Sequence, residues 1–183
     1  ASAFAAVTVA AAKAAGLELN TRELSILARQ GSGSASRSIP AGYVIWHRGE
    51  GSASSFAEQI APANHWPLHD LIAVTQTEHK TTGSTTGNAL VDTSPFNNTR
   101  VALAMDAAKT TRNAILKRDF TLLGETMEAE AIRLHMIAMT SVPPIYYWNP
   151  TTMRIILAVT TWRSQGLACY FTIDAGANVH VIA

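Results

Sequence analysis

Three helix-length segments run back to back through the second half of the chain, and short apolar runs flank them on both sides. The first, from Thr99 or Arg100 to Lys117, places Val101, Met105, Ala108 and Ile115 close to one stripe. The second, Phe120 to Met139, carries Leu123, Met127, Ala131 and Leu134. The third opens on Asn149-Pro150, a cap residue with Pro at the first helical position, carries Met153, Ile156, Leu157 and Val159, and stops at Gly166. Ahead of them Leu71 to Val74 reads as a buried strand. Behind them residues 168–173 and 178–182 read as strands around a tight turn, Asp174-Ala175-Gly176. Helices grouped between strands imply an α+β fold with the helices packed on one sheet face.

The first third is organised differently. Residues 2–15 are Ala-rich, with Phe4, Val7 and Ala11 on one helical face and Gly16 as the stop. Asn20 precedes Glu23 by three, a capping-box spacing, and the helix it opens carries Leu24, Leu27 and Ala28 and ends at Gly31. Tyr43-Val44-Ile45-Trp46 is a short β-type run, and residues 49–67 read as a loop or domain hinge. The length, 183 residues, suits one domain or one and a fraction. Only 15% of residues are charged; 31 Ala and 20 Thr stand where surface charge is usual, and a 48% apolar share excludes a disordered chain. Fourteen basic against thirteen acidic residues leave +1, too weak a field to recruit nucleic acid or anionic lipid. One cysteine excludes an internal disulfide framework and a multi-Cys zinc site. No apolar run reaches the ~18 residues of a membrane span. The N-terminus lacks the basic flank of a signal peptide. Both ends read as cut, and the sequon Asn97-Asn98-Thr99 reads as incidental.

Three features could carry chemistry. Gly31-Ser32-Gly33-Ser34-Ala35-Ser36-Arg37-Ser38 is too rich in Gly and Ser to be a secure helix or strand. It offers backbone N–H groups and hydroxyls to an anion, with the planar fork of Arg37 beside them. The same composition suits a flexible linker. The tract from Lys80 to Asn88 is a second hydroxyl-rich loop, or a polar turn. Neither loop closes with the Gly-Lys-Ser/Thr of a P-loop. Asp174 stands where an apolar strand meets a turn, a place where a carboxylate can be held and partly desolvated, or can cap its own turn. The six histidines show no metal-ligand spacing, and His79 and His180 read as surface or satisfied core residues. Cys169 reads as a buried small hydrophobe, and the Met and Trp positions read as core.

Together these pieces resemble the mevalonate diphosphate decarboxylases of the GHMP kinase superfamily. The resemblance rests on four motifs in order: 27–38 (LARQGSGSASRS, followed by Gly42-Tyr43-Val44), 78–87 (EHKTTGSTTG), 143–147 (PPIYY) and 170–178 (YFTIDAGAN). It implies a two-domain sandwich with helices on mainly antiparallel sheets. Residues 1–68 would be the remainder of an N-terminal, S5-like, ATP-loop domain lacking its first strands, and 69–183 a C-terminal GHMP-type domain. Ala1-Ser2-Ala3-Phe4 resembles the helix after the ATP-phosphate loop, which implies nucleotide contacts at Ala1 and Ser2.

The activity so implied is ATP- and Mg2+-dependent decarboxylation of mevalonate 5-diphosphate, with Arg37 on the substrate carboxylate and Asp174 on its tertiary hydroxyl. Both should then face one cleft. Ser32, Gly33 and Ser34, with Ser84, Thr85, Asn88 and Ala175 across the cleft, would hold the rest of the substrate. The resemblance further implies a cytoplasmic enzyme, no nucleic-acid or membrane partner, no protein-held metal site, and room for a homodimer. The sequence departs from the family at Asn88, often Met, at Thr85, Arg in some members, and at Ala177, usually Pro. Related enzymes decarboxylate mevalonate 5-phosphate or stop at the 3-phosphate, and these stand as the alternatives.

Overall fold

The computed structural model describes residues 1–77 and 83–183, with the side chains of Ser84 and Thr85 left out. Glu78, His79, Lys80, Thr81 and Thr82 of the second motif lie outside the described residues. The chain forms two compact units, Ala1–Pro67 and Leu68–Ala183.

In the first unit, helices α1 (Ser2–Ala14) and α2 (Thr21–Gly31) pack together. Both halves of the capping box close: Glu23 N–H donates to Asn20 Oδ1 at 3.0 Å, and Asn20 N–H to Glu23 Oε2 at 2.8 Å. The Gly/Ser segment, expected to lack regular structure, is a 3-10 turn over Gly33–Ser38 with Ala35 and Ser36 buried. One hydroxyl explains its order. Buried Ser25 of α2 donates to the Ser36 carbonyl at 3.3 Å and accepts the Ala57 N–H at 2.8 Å. That links α2, the 3-10 turn and a strand pair, β1 (Tyr43–Trp46) antiparallel to β2 (Ala57–Ala61). β2 corrects the reading of 49–67 as loop or hinge; its central Glu58 and Gln59 are exposed and hide the strand. The face of α1 is also corrected. Ala5 and Ala12 are buried, whereas Phe4 and Val7 are exposed. In so Ala-rich a helix every face is apolar, and close approach selects the smallest side chains.

In the second unit, β3 (Asp70–Ala73), β4 (Tyr170–Thr172) and β5 (Val179–Ile182) form an antiparallel sheet ordered β3-β5-β4. Four helices accompany it: α3 (Ser84–Leu90), α4 (Asn97–Lys117), α5 (Phe120–Thr140) and α6 (Pro150–Ser164). Helix α3 replaces the loop or turn expected there. The core joins Ala131 of α5 and Val159 of α6 to Cys169, Phe171, Ile173, Val179 and Val181. It lies over β4 and β5, and of β3 only Ala73 packs against it. Leu71, Ile72 and Val74 are therefore exposed at 66%, 55% and 62%, which corrects the buried reading of that strand. Helix faces are corrected too: Val101 and Met105 of α4, and Met153 and Leu157 of α6, point outward. The half-buried side of α4 is Ala104, Ala107 and Thr111 with buried Ala114, small residues beside which α5 packs. Trp46 and Trp162 are likewise exposed, so Met and Trp are not uniformly core.

Helix α5 lies close against β4. A Cβ on Gly124 would stand 2.0 Å from a Tyr170 ring atom, so only glycine permits this approach. One turn on, the Glu128 carboxylate takes two hydrogen bonds from Arg163, at 2.8 and 3.0 Å, and one from the Phe171 N–H at 3.1 Å.

Candidate active site

The turn after β4 presents Asp174. It is fixed from both sides. Asn178 Oδ1 accepts the N–H groups of Thr75 and Gln76 at 2.9 and 3.2 Å. The Ala177 carbonyl accepts the hydroxyls of Thr75 and Thr152 at 2.7 and 2.6 Å. Thr152 is wholly buried at the start of α6, where Asn149 caps the helix, so the helix start and the turn are one hydrogen-bonded unit. Asp174 itself is exposed, not desolvated as its position suggested. Its carboxylate takes no hydrogen bond from a described residue, so it does not cap its own turn. Together with Gln76, Thr77, Asn178 and His180, it lines a cavity of about 370 Å3. On the same wall, His180 Nδ1 pairs with the Asp70 carboxylate at 3.0 Å.

Ala175 also lines a second cavity, of about 80 Å3, with Asn88, Arg100 and Tyr147. The structure thus brings Asp174, Ala175 and Asn88 to neighbouring walls of the second unit. Ser84 and Thr85 belong to α3, but their side chains lie outside what is described.

Behind the Asp174 turn lies a group that the sequence did not single out. His135 of α5 is 1% exposed. Tyr147 meets its ring edge-on at 5.8 Å between centroids, and Trp148 packs on it at 4.7 Å. Burial pushes its pKa down to about 4; the backbone of Asp174 and Ile173 and the Asp174 carboxylate pull more weakly the other way. The ring is therefore neutral at pH 7. Neither nitrogen closes a well-aligned hydrogen bond to a described residue. Its sequence signal was position: it follows Ala131 by four on the buried stripe of α5.

The remaining candidates lie in the first unit. Ser32 and Ser34 share a hydroxyl hydrogen bond at 3.3 Å, and Ser36 Oγ donates to the Gly33 carbonyl at 2.8 Å. Arg37 is exposed, its guanidinium 5.7 Å above the Trp46 ring. Trp46 is a second residue missed in the sequence. Its indole N–H donates to Ser55 Oγ at 3.1 Å, and a Cβ on Gly33 would come within 2.9 Å of its ring. The Gly/Ser turn therefore rests on an indole that also steadies Arg37. Ala1 caps α1 with no side-chain hydrogen bond, and Ser2 begins the helix. Helix α1 packs on the 3-10 turn.

Antiparallel sheets with helices, an anion-suited 3-10 turn in one unit and an anchored acid in the other describe the GHMP-like class that the motifs suggested. Comparison with known proteins narrows this. The model of the mevalonate 5-diphosphate decarboxylase C-terminal domain matches residues 70–183, and that of the diphosphomevalonate decarboxylase-like N-terminal domain matches residues 1–57. The chain belongs to this family. It is 38% identical to the diphosphomevalonate decarboxylase of Candida albicans over 97% of its own length and 51% of that protein's. Against the Homo sapiens enzyme it is 37% identical, over 97% and 46%. The crystal structure of mevalonate diphosphate decarboxylase from Staphylococcus aureus superposes with a TM-score of 0.93 at 33% identity, covering 99% of this chain and 55% of that one. A structure described as MDDEF in complex with MVAPP, AMPPCP and magnesium gives 0.86 at 38% identity, covering 92% and 52%. The chain thus spans about half the length of the curated relatives it matches.

Proposed function

We propose that the protein carrying this chain decarboxylates mevalonate 5-diphosphate to isopentenyl diphosphate at the expense of ATP. In this reading residues 1–68 belong to its N-terminal domain and 69–183 to its C-terminal one. The observation that carries the proposal is the anchored turn at Asp174, which offers a carboxylate without a hydrogen bond from any described residue to a 370 Å3 cavity. A family member bound to substrate and a nucleotide analogue supports it.

Each residue then has a physical task. Asp174 orients the tertiary hydroxyl and takes its proton as the oxygen is phosphorylated. Arg37 holds the substrate carboxylate through paired hydrogen bonds, which fixes the carbon–carbon bond that must break. The hydroxyls of Ser32, Ser34, Ser84 and Thr85, the backbone of Gly33 and Ala175, and the Asn88 amide bind the phosphorylated end. ATP supplies the phosphoryl group that makes the hydroxyl oxygen a leaving group. Departure of phosphate and CO2 then leaves the alkene.

The described residues fit these partners. Ala1 and Ser2 stand at the start of α1, where backbone N–H groups and the helix dipole favour a phosphate. No three or more His, Cys, Asp or Glu side chains gather among the described residues. Mg2+ enters the proposal with ATP, held chiefly through nucleotide phosphates and water, as the magnesium-containing complex of a family member supports. No described helix is long and apolar enough to cross a membrane. A cytoplasmic location and a homodimer remain part of the proposal.

The test is to supply the full-length protein with ATP and, separately, mevalonate 5-diphosphate, mevalonate 5-phosphate and mevalonate, and to measure ADP and CO2. The diphosphate should give both products in equal amounts and the highest kcat/KM. A preference for the monophosphate, or ADP without CO2, would replace this reading with one of the two alternatives.

A further inference from the structure

The anchored turn explains where Asp174 stands but not what sets the direction of its carboxylate. Four buried or half-buried positions along one face of α5 meet β4 in succession. Gly124 lies under Tyr170, and Glu128 bonds the Phe171 N–H. Ala131 shares the core cluster with Phe171 and Ile173, and one turn further along the α5–β4 contact His135 comes level with the end of the strand, where the Ile173 and Asp174 backbone acts on its ring. The spacing is consistent with helix and strand running alongside one another. Eleven residues of helix (135 − 124) advance about 16 Å, and four of strand (174 − 170) about 13 Å. His135 is therefore the last element of this contact, at the place where the strand gives way to the turn.

Its surroundings suit a positioning role better than a filler. A buried imidazole whose nitrogens close no well-aligned hydrogen bond to a described residue is costly, and an apolar ring of similar size would avoid the cost. Tyr147 and Trp148 hold the ring from two directions, which leaves it little rotational freedom.

We propose that His135 is a positioning residue for Asp174: clamped by Tyr147 and Trp148, its ring supports the Ile173–Asp174 backbone from below and fixes the direction in which the carboxylate points. It touches neither substrate nor nucleotide in this role, and it acts only through Asp174. The proposal rests on the assignment of Asp174 to the tertiary hydroxyl.

A double-mutant cycle in the full-length enzyme tests it, with kcat and KM for the diphosphate and ATP measured in wild type, H135F, D174N and H135F/D174N. Phe keeps the size of the ring and removes its polarity. H135F should lower kcat by about 10- to 100-fold while both KM values stay within about threefold. In the D174N background the same change should cost less than about twofold, because the group it positions is already disabled. H135Q, which keeps a donor, should recover part of the kcat lost in H135F. If H135F fails to fold, H135Q/D174N against D174N closes the same cycle. Equal losses in both backgrounds, or an effect on KM alone, would overturn the role. An H135F enzyme that folds and turns over normally would do the same. A D174N enzyme with normal turnover would instead remove the assignment of Asp174, a separate outcome.

Discussion

At the scale of single residues, the proposed chemistry rests on Asp174 and on the neighbours that hold it. Asp174→Asn keeps shape and removes charge and basicity. It should fold normally, keep its ATP affinity and lose about 10²- to 10⁴-fold in kcat, as measured by CO2 release. His135 gives a second prediction, of stability against pH. Its folded pKa, about 4, lies below the unfolded value of 6.5, so the folded state binds fewer protons between them. The contribution is complete above pH 6.5 and is lost as pH falls toward 4, by up to about 3 kcal/mol. Urea unfolding at pH 7 and pH 4.5 should show a smaller acid loss in H135F than in wild type; equal losses would mean that the ring is not held neutral. Neither His135 nor Trp46 was legible as a site residue in the sequence, because each acquires its role from segments far away in the chain. Trp46 belongs to a β-type run read correctly, yet its partners Gly33 and Arg37 lie on a turn about ten residues earlier.

At the scale of elements, what was legible depended on local chemistry. The Asn20 and Asn149 caps, the strands at Tyr43, Tyr170 and Val179, and the buried Cys169 follow from neighbours in sequence. The faces of α1 and α4 did not, because in Ala- and Thr-rich helices several faces are apolar and close packing selects the smallest. Gly124 shows the same selection at its limit. Gly124→Ala would drive a methyl group into buried Tyr170, whose ring is held against Phe120 at 5.3 Å between centroids. The expected cost is about 1–3 kcal/mol, read as a lower melting temperature or urea midpoint. An unchanged midpoint would show that α5 can move away from β4 freely. Glycine in mid-helix is itself unfavourable relative to alanine, so any loss on adding the methyl exposes the packing.

At the scale of the whole molecule, the proposed chemistry makes one demand on the two units. Arg37 and Asp174 belong to different ones, and both must reach a single small substrate. A crystal structure of the full-length protein with mevalonate 5-diphosphate should place both side chains against it, within about 10 Å of each other, a substrate length. Side chains on opposite faces would end the mechanism. The sheet of the second unit has a further consequence. β4 lies at one edge of the order β3-β5-β4, and the Phe171 N–H is taken by Glu128. An edge whose donor is already bonded to a carboxylate is a poor template for another chain to extend; among the described residues β3, at the other end of the strand order, exposes Leu71 and Ile72. The Glu128 hydrogen bond that ties α5 to β4 thereby also occupies a donor that an added strand would need on that side of the described sheet.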